Sequence, residues 1–209
     1  MNHFGVTIMG DSIIRHRKGK IIFDWSEIVK KNLKTKVKKK VFFKTKITHG
    51  LNSRGLINLI PNFFHRINSK FKDLLIVQIG INDSWHYLSL KGMANVPKEN
   101  FLKNLKEIYK KSKIYNFKKI CFLNYHKVLL HRIEGNNKTP NQNLKEYNNI
   151  IKKFCEAQKI SLINIEKKTN SIKNICLNLP DGVHLNKKGV KAYSKIIVKF
   201  LIKEINEKN

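Results

Sequence analysis

Cysteine and long hydrophobic runs are both scarce in this sequence of 209 residues. The three cysteines, Cys121, Cys155 and Cys176, are odd in number and widely spaced, so they form no metal-binding pattern and indicate a reducing compartment. No apolar run reaches the roughly 18 residues that a membrane span requires. The first apolar run is short and leads directly into a turn, unlike a secretory leader. We therefore expect a cytoplasmic chain with no signal peptide and no membrane span.

Acidic residues and arginine are also few. The chain has 14 Asp and Glu against 43 Lys and Arg, a formal net charge of +29, and only five of the 43 are Arg. This excess of lysine fits two interpretations: a compositional drift towards Lys, Asn and Ile, or attraction to an anionic partner or substrate. Recognition of bases and phosphates favours Arg and basic motifs interleaved with aromatic residues, and the sequence has neither feature. We therefore expect no specific nucleic-acid partner and leave open whether the substrate is anionic.

Linkers rich in proline and glycine are missing as well, and so are internal repeats. The 4 Pro and 10 Gly are spread along the chain. A hydrophobic fraction of 41%, which includes 12 Phe, predicts a folded interior rather than disorder. A chain of this length fits in one domain, since single domains run to roughly 200–250 residues. The sequence thus predicts one domain over residues 1–209 and does not indicate its oligomeric state.

What the sequence does contain is an alternation of strand and helix patterns. Apolar and β-branched runs predict five strands, at residues 5–9, 41–47, 74–80, 119–124 and 160–165. Helical periodicity predicts helices near residues 24–33, 53–67, 98–113, 142–159 and 187–207, and polar stretches predict loops at 15–20, 84–97, 125–141 and 166–180. This order predicts an α/β fold of three α/β/α layers around a five-stranded parallel sheet.

Ligands of such sheets bind outside the carboxyl ends of the strands. This rule brings Ser12, Gly50, Asn82 and the loop after Asn124 to one edge of the molecule. Gly10-Asp11-Ser12 follows the first strand, and we expect Asp11 or Ser12 to open a helix there. A serine beside a positive helix terminus suits a nucleophile whose product is an oxyanion. The alternative interpretation is a serine that only caps the helix.

Near the other end of the sequence, Asp181 and His184 stand three residues apart on an Asp-Gly turn. At this spacing Asp181 can accept a hydrogen bond from one imidazole nitrogen of His184 and leave the other nitrogen free to take a proton. A nucleophilic serine needs such an oriented base, because its own pKa is far too high. The alternative is that Asp181 only forms the turn and His184 is a polar loop residue.

Taken together, these segments resemble the SGNH, or GDSL-type, hydrolase family. Gly10-Asp11-Ser12 matches the first block of that family, Gly80-Ile81-Asn82-Asp83 matches the Gly-x-Asn-Asp block, and Asp181-Gly182-Val183-His184 matches the Asp-x-x-His block. The resemblance covers nearly the whole chain and implies the flavodoxin-like SGNH fold. It also implies Ser12 as nucleophile, His184 as general base and Asp181 as its orienting acid, with the Asn82 amide and the Ser12 N–H as oxyanion-hole donors.

The second family block is less clear in this sequence. It supplies a further oxyanion-hole N–H after the second strand, and Gly50 is the natural candidate. An ungapped match to the Gly-x-x-Gly-x-Thr pattern of the family selects Ser53 instead, so Ser53 is retained as the alternative. Residues beside these motifs are expected to contact substrate, namely Asp11, Asn52, Arg54, Asp83 and His126.

The resemblance implies a serine hydrolase acting on ester bonds. Loops that contain Asn, His, Tyr and Trp suit sugars better than long acyl chains, so we expect a small-molecule or glycan ester, most simply an O-acetyl group on a carbohydrate. A lysophospholipase, a thioesterase or an O-acyltransferase with the same three residues is an alternative. A non-catalytic SGNH module that binds a glycan or an anionic surface is another. We expect no cofactor and no metal, since no His, Asp or Glu spacing suits a metal site.

Overall fold

The computed structural model describes residues 3–86, 92–172 and 177–207, so Cys176 lies outside the described residues. The strands of this part are β1 His3–Gly10, β2 Arg15–Lys18, β3 Ile21–Asp24, β4 Lys40–Ile47, β5 Leu74–Gln78, β6 Lys119–Leu123 and β7 Ser161–Ile163. Its helices are α1 Trp25–Lys34, α2 Ser53–His65, α3 Lys98–Ile114, α4 Pro140–Ala157, α5 Ile165–Thr169 and α6 Lys187–Asn206, with a 3₁₀ helix at Ser69–Phe71. None of the helices just named is long and apolar enough to cross a membrane.

Five strands form one parallel sheet in the order β4-β1-β5-β6-β7, which confirms the predicted fold class. Helices cover both faces of this sheet. On one face Ile76 of β5 belongs to the same apolar cluster as Trp25 of α1 and Tyr193 of α6. On the other face the next residue, Val77, belongs to the cluster of Phe64 in α2. Burial on both faces explains why β5 is a continuous apolar run in the sequence.

The position of β1 between β4 and β5 determines where the loops meet. Gly10, the last residue of β1, pairs with Ile47 of β4 on one side and with Gln78 of β5 on the other. The backbone N–H of Thr48 also donates a 3.0 Å hydrogen bond to the Gly10 carbonyl. The chain therefore leaves β1, β4 and β5 at nearly the same level, and the segments that follow them share one edge of the sheet.

Residues 15–20, predicted as a polar loop, are instead part of an antiparallel hairpin of β2 and β3. Lys18 pairs with Ile21 across a two-residue turn, and Gly19 in that turn has a φ of +59°. Arg15 and Asp24 pair at its open end, where the Arg15 Nε donates to the Asp24 carboxylate at 2.5 Å. The loop prediction was wrong because exposed basic side chains on β2 hide the alternation that indicates a strand.

The segment after β7 also differs from the prediction. The expected strand over 160–165 ends at Ile163, and the short helix α5 starts at Ile165, the last residue of that predicted strand, and continues to Thr169 in the predicted loop. Asn164 lies between the two elements and accepts a hydrogen bond from the backbone N–H of Lys167, which caps α5. A capping side chain thus ends the strand early and begins a helix that is too short to show a period in the sequence.

A close backbone approach at Gly5 gives the first prediction. A Cβ at Gly5 would lie 2.1 Å from the Lys70 carbonyl oxygen and 2.6 Å from the Phe71 Cα, both backbone atoms. We expect Gly5→Ala to lower the free energy of unfolding by about 2–3 kcal/mol, because the 3₁₀ helix must move to make room. The measurement is urea unfolding followed by circular dichroism.

Gly55→Ala is the matched control. Its Cβ would meet chiefly the flexible Leu51 side chain, at 3.2 Å, and alanine favours a helix position such as this one in α2. We expect its unfolding free energy to stay within about 1 kcal/mol of the wild type. Equal losses in the two variants would contradict the argument from the approach at Gly5.

Candidate active site

Ser12 lies in a hydrogen-bonded turn directly after β1. The Asp11 carboxylate accepts from the backbone N–H of Ile13 at 2.9 Å, and the Asp11 carbonyl accepts from the N–H of Ile14 at 3.2 Å. Ser12 is 8% exposed. The turn leads into β2, so the expectation that Asp11 or Ser12 opens a helix is wrong. Any stabilisation of negative charge beside Ser12 must therefore come from individual donors and not from a helix terminus.

His184 reaches Ser12 from the far end of the chain. Its Nε2 lies 2.9 Å from the Ser12 Oγ, and its Nδ1 lies 3.0 Å from a carboxylate oxygen of Asp181. The other Asp181 oxygen accepts from the backbone N–H groups of Val183 and His184, at 2.8 and 2.9 Å. These two bonds close the turn that holds the imidazole in place, and Gly182 in that turn has a φ of +73°.

Electrostatics favour one arrangement of protons in this chain of side chains. Burial raises the pKa of Asp181, but the backbone donors of Val183 and His184 and the His184 ring outweigh burial and leave that pKa lowered. An ionised Asp181 accepts a hydrogen bond from the Nδ1–H of His184. The Nε2 lone pair of His184 then accepts from the Ser12 hydroxyl, a geometry that suits transfer of the serine proton.

Three donors border a cavity of about 370 Å³ in front of Ser12. The Asn82 amide is fixed because its Nδ2 donates to the Leu51 carbonyl at 3.0 Å, which uses one of its two N–H groups. Within the described residues the backbone N–H groups of Ser12 and Gly50 make no hydrogen bond. Ser12, Gly50 and Asn82 all line the cavity.

Ser53, the alternative to Gly50, has its backbone N–H engaged elsewhere. This N–H donates to both carboxylate oxygens of Asp83, at 2.9 and 3.1 Å, and the Ser53 hydroxyl donates to Asp83 at 2.5 Å. Burial raises the pKa of Asp83 to about 6, although the hydrogen bonds from Ser53 oppose the rise. Ser53 and Asp83 thus tie the start of α2 to the turn after β5, and Gly50 is the residue of this block that faces the cavity.

Three of the expected substrate contacts, Asp11, Asp83 and His126, are buried. Asp11 accepts a hydrogen bond from the Tyr125 hydroxyl at 2.5 Å, and burial raises its pKa to about 7. His126 is bonded through Nδ1 to the Tyr193 hydroxyl and through Nε2 to Asn178, at 2.7 and 2.6 Å. Burial lowers the pKa of His126 to about 4, so its ring is neutral. Protein groups thus occupy the polar atoms of these three residues, and none of the three lines the cavity in front of Ser12.

The other two expected contacts lie at the start of α2. Asn52 caps this helix by accepting from the backbone N–H of Gly55 at 2.9 Å, and Arg54 is exposed on its first turn. The cavity in front of Ser12 is lined instead by other residues, namely Ile13, His16, His49, Gly50, Ile81, Asn82, Trp85, Asp181, Val183 and His184. Neither Asn52 nor Arg54 borders it in the described part of the chain.

His16 is the site residue that the sequence analysis missed most clearly. It lies on β2, and its ring stacks on the His184 ring with centroids 3.7 Å apart and planes inclined by 16°. Burial and the charge of His184 lower the pKa of His16. His49, from the turn after β4, lies beside it with ring centroids 6.3 Å apart. The Gly19-Lys20 turn was the available signal, since a two-residue turn that begins with Gly favours a hairpin.

Several solved structures share the fold of this chain. A member of the lipolytic protein G-D-S-L family from Veillonella parvula is 17% identical with a TM-score of 0.70, covering 94% of this chain and 97% of that one. A catalytic mutant of an acetylxylan esterase from Geobacillus stearothermophilus is 17% identical with a TM-score of 0.71, covering 95% of each chain. The acetyl xylan esterase AlAXEase is 21% identical with a TM-score of 0.68, covering 92% and 98%. These identities are low enough that the structures establish the fold alone.

Sequence comparison identifies the family. No curated protein sequence matches the chain. The model of the GDSL-like lipase/acylhydrolase family, however, matches residues 6–197. This span runs from β1 into α6 and includes Ser12, Asn82, Asp181 and His184. The chain therefore belongs to the GDSL-like lipase/acylhydrolase family and is a carboxylic ester hydrolase.

Proposed function

We propose that this protein is a serine esterase that removes a small acyl group, most simply acetyl, from a carbohydrate or a glycan precursor. The observation that carries the proposal is the hydrogen-bonded chain from the Ser12 hydroxyl through His184 to Asp181. In this proposal residues 1–209 act as one cytoplasmic domain, and Ser12 is the nucleophile.

The proposed reaction proceeds in two halves. The Ser12 Oγ attacks the ester carbonyl carbon as its proton passes to the His184 Nε2, and the carbonyl oxygen becomes an oxyanion. Collapse of this intermediate breaks the bond to the leaving alcohol, which takes the proton from His184. Water then attacks the acyl-Ser12 ester, and His184 again takes a proton and returns it to the Ser12 oxygen. Asp181 accepts the Nδ1–H bond throughout and stabilises the imidazolium.

The oxyanion is stabilised by fixed donors in this mechanism. The proposed donors are the backbone N–H groups of Ser12 and Gly50 and the remaining N–H of the Asn82 amide, all of which border the cavity. Because Leu51 already holds the Asn82 amide, the group needs no reorganisation when charge develops. One such donor is typically worth about 3–4 kcal/mol of the barrier.

The dimensions and lining of the cavity favour a small acyl group and a sugar. A volume of about 370 Å³ lies near the lower end of the roughly 300–1,000 Å³ usual for ligand sites. Rings of Trp85, His16 and His49 line it, which suits the flat faces and hydroxyl groups of a sugar. Two of the solved structures with this fold are described as acetyl xylan esterases, which supports the choice of acetylated carbohydrate.

Removing the nucleophile tests the proposed mechanism. We expect Ser12→Ala to lower kcat by roughly 10⁴-fold or more, and Asp181→Asn to lower it less, because Asp181 only orients and stabilises His184. The measurement is turnover of p-nitrophenyl acetate, together with labelling by a fluorophosphonate probe. The wild type should react with the probe at Ser12, and Ser12→Ala should not. Wild-type turnover in a folded, pure preparation of Ser12→Ala would show that another residue is the nucleophile.

Asn82 gives a test of the oxyanion donors. We expect Asn82→Ala to lower kcat by roughly 10²–10³-fold with little change in KM, because its amide acts mainly on the charge that develops in the transition state. Asn52→Ala is the matched control, because it removes an amide from the same region that only caps α2. It should cost about 1 kcal/mol of stability and leave kcat nearly unchanged. A change confined to KM in Asn82→Ala would make Asn82 a ground-state binding residue.

Acyl length separates the proposed esterase from the alternatives. We expect kcat/KM to be highest for p-nitrophenyl acetate and to fall about tenfold or more by octanoate, because the cavity is small. Acetylated xylo-oligosaccharides should release acetate, whereas lysophospholipids should not react. A preference for laurate or for a lysophospholipid would favour a lipid esterase. If no ester is cleaved and the fluorophosphonate probe does not react, a non-catalytic binding module is the better explanation.

A further inference from the structure

Three metal-ligating side chains meet at the entrance to the cavity. One donor atom each from His16, Asp181 and His184 lie within 4.8 Å of one another. We propose that this cluster binds a divalent transition-metal ion, with Zn²⁺ as the representative, and that the bound ion switches the enzyme off. The inhibitory half rests on the proposed function, whereas binding of the ion does not.

The donor set matches the chemistry of zinc. Two imidazole nitrogens and one carboxylate oxygen are typical of an open zinc site, in which a water completes the coordination. Two of the three ligands are imidazole nitrogens, whereas Mg²⁺ and Ca²⁺ prefer oxygen ligands, so the site should bind these two ions more weakly than Zn²⁺. Zn²⁺ bound at about 2.1 Å to each ligand needs donor atoms about 3.4 Å apart, so donor atoms up to 4.8 Å apart must close by as much as about 1.4 Å. The His16 ring must also turn out of its stack on His184, because the lone pair of each imidazole lies in its ring plane and the two planes are nearly parallel.

The three side chains differ in their exposure and in the elements that carry them. Asp181 and His184 belong to one exposed turn and keep 41% and 22% of their side-chain surface open to solvent. His16 comes from the β2–β3 hairpin, which forms a sheet separate from the main one. Its Nδ1 is shielded from solvent and has no hydrogen-bond partner in the described part of the chain. An unpaired, shielded ring nitrogen is uncommon in a folded protein, and a metal ligand bond would satisfy it.

Occupancy of this site is incompatible with the proposed proton transfer. Both nitrogens of His184 are committed, Nε2 to Ser12 and Nδ1 to Asp181. A metal bound at Nε2 removes the acceptor for the serine proton, and a metal bound at Nδ1 displaces the carboxylate that orients the ring. In either case His184 no longer acts as a base towards Ser12.

The test measures zinc binding and inhibition in matched variants. His16→Phe keeps an aromatic ring over His184 but removes the nitrogen ligands. His49→Phe is the control, since His49 lines the same cavity and is not part of the cluster. Titration calorimetry with ZnCl₂ in a non-chelating buffer should show one more site in the wild type than in His16→Phe. The titration is run at roughly 150 mM salt, so that repulsion between Zn²⁺ and the net charge of +29 is screened beyond about 8 Å.

The esterase assay supplies the second readout. Zn²⁺ should inhibit the wild type and His49→Phe with half-inhibitory concentrations that agree within about twofold, and EDTA should restore both. In His16→Phe that concentration should rise by about tenfold or more, because loss of even an outer-shell partner of a metal ligand costs 10–100-fold in affinity. Mg²⁺ and Ca²⁺ should have no effect.

The outcomes separate the two halves of the proposal. Equal zinc binding by the wild type and His16→Phe would overturn the site, and so would a loss of binding in His49→Phe as large as that in His16→Phe. Zinc bound through His16 without loss of ester hydrolysis would overturn the inhibitory role. If Ser12→Ala, which retains all three ligands, binds zinc while no variant cleaves an ester, the metal site stands and the proposed function fails.

Discussion

The close approach of two strands at Gly10 governs the geometry of the site. A Cβ there would lie 2.4 Å from the carbonyl oxygen of Gln78 and 2.7 Å from the Ile14 side chain. Because Gly10 has no side chain, the end of β1 lies against β5, and the turn that carries Ser12 folds back onto the sheet edge. The cavity is bordered by Asn82 from the loop after β5 and by Gly50 from the loop after β4. The contact at Gly10 thus brings three loops to one point.

Two buried acids, Asp11 and Asp83, join the loops beside the cavity through hydrogen bonds. Asp11 joins the Ser12 turn to Tyr125 in the loop after β6, and Asp83 joins the turn after β5 to Ser53 at the start of α2. Burial raises the two pKa values to about 7 and about 6. An unfolded Asp titrates near 3.9, so between about pH 4 and pH 7 the folded chain binds more protons than the unfolded chain. The contribution of these two acids to stability therefore falls as the pH rises through 6 and 7. Hydrogen bonds from Tyr125 and Ile13 to Asp11, and from Ser53 to Asp83, oppose the rise of the two pKa values.

The sequence predicted the fold, and it assigned to one edge of the sheet Ser12, Gly50 and Asn82, which line a common cavity. Parallel strands buried on both faces are continuous apolar runs, and the residues after their carboxyl ends share one edge of the sheet, which is how Ser12 and Asn82 were found. The Asp181–His184 turn was found from the spacing of its two side chains. Position at a strand end does not determine the direction of a side chain. Asp11 and Asp83 follow strand ends, yet their carboxylates bond to buried protein groups. His16 was missed because its hairpin is short and basic, and its stacking on His184 joins residues far apart in the chain.

The bond between Ser12 and His184 joins residues separated by 172 positions. Synthesis of a chain proceeds at roughly 5–20 residues per second, so on the order of 10–30 s pass between translation of the two residues. For that interval the nascent chain contains Ser12 but not yet its hydrogen-bond partner His184. The helix that follows the histidine turn, α6, packs on α1, which was made early: the Ser194 hydroxyl donates to the Trp25 carbonyl at 3.2 Å. Fragments released before residue 184 is added thus contain Ser12 without the hydrogen bond that joins it to His184.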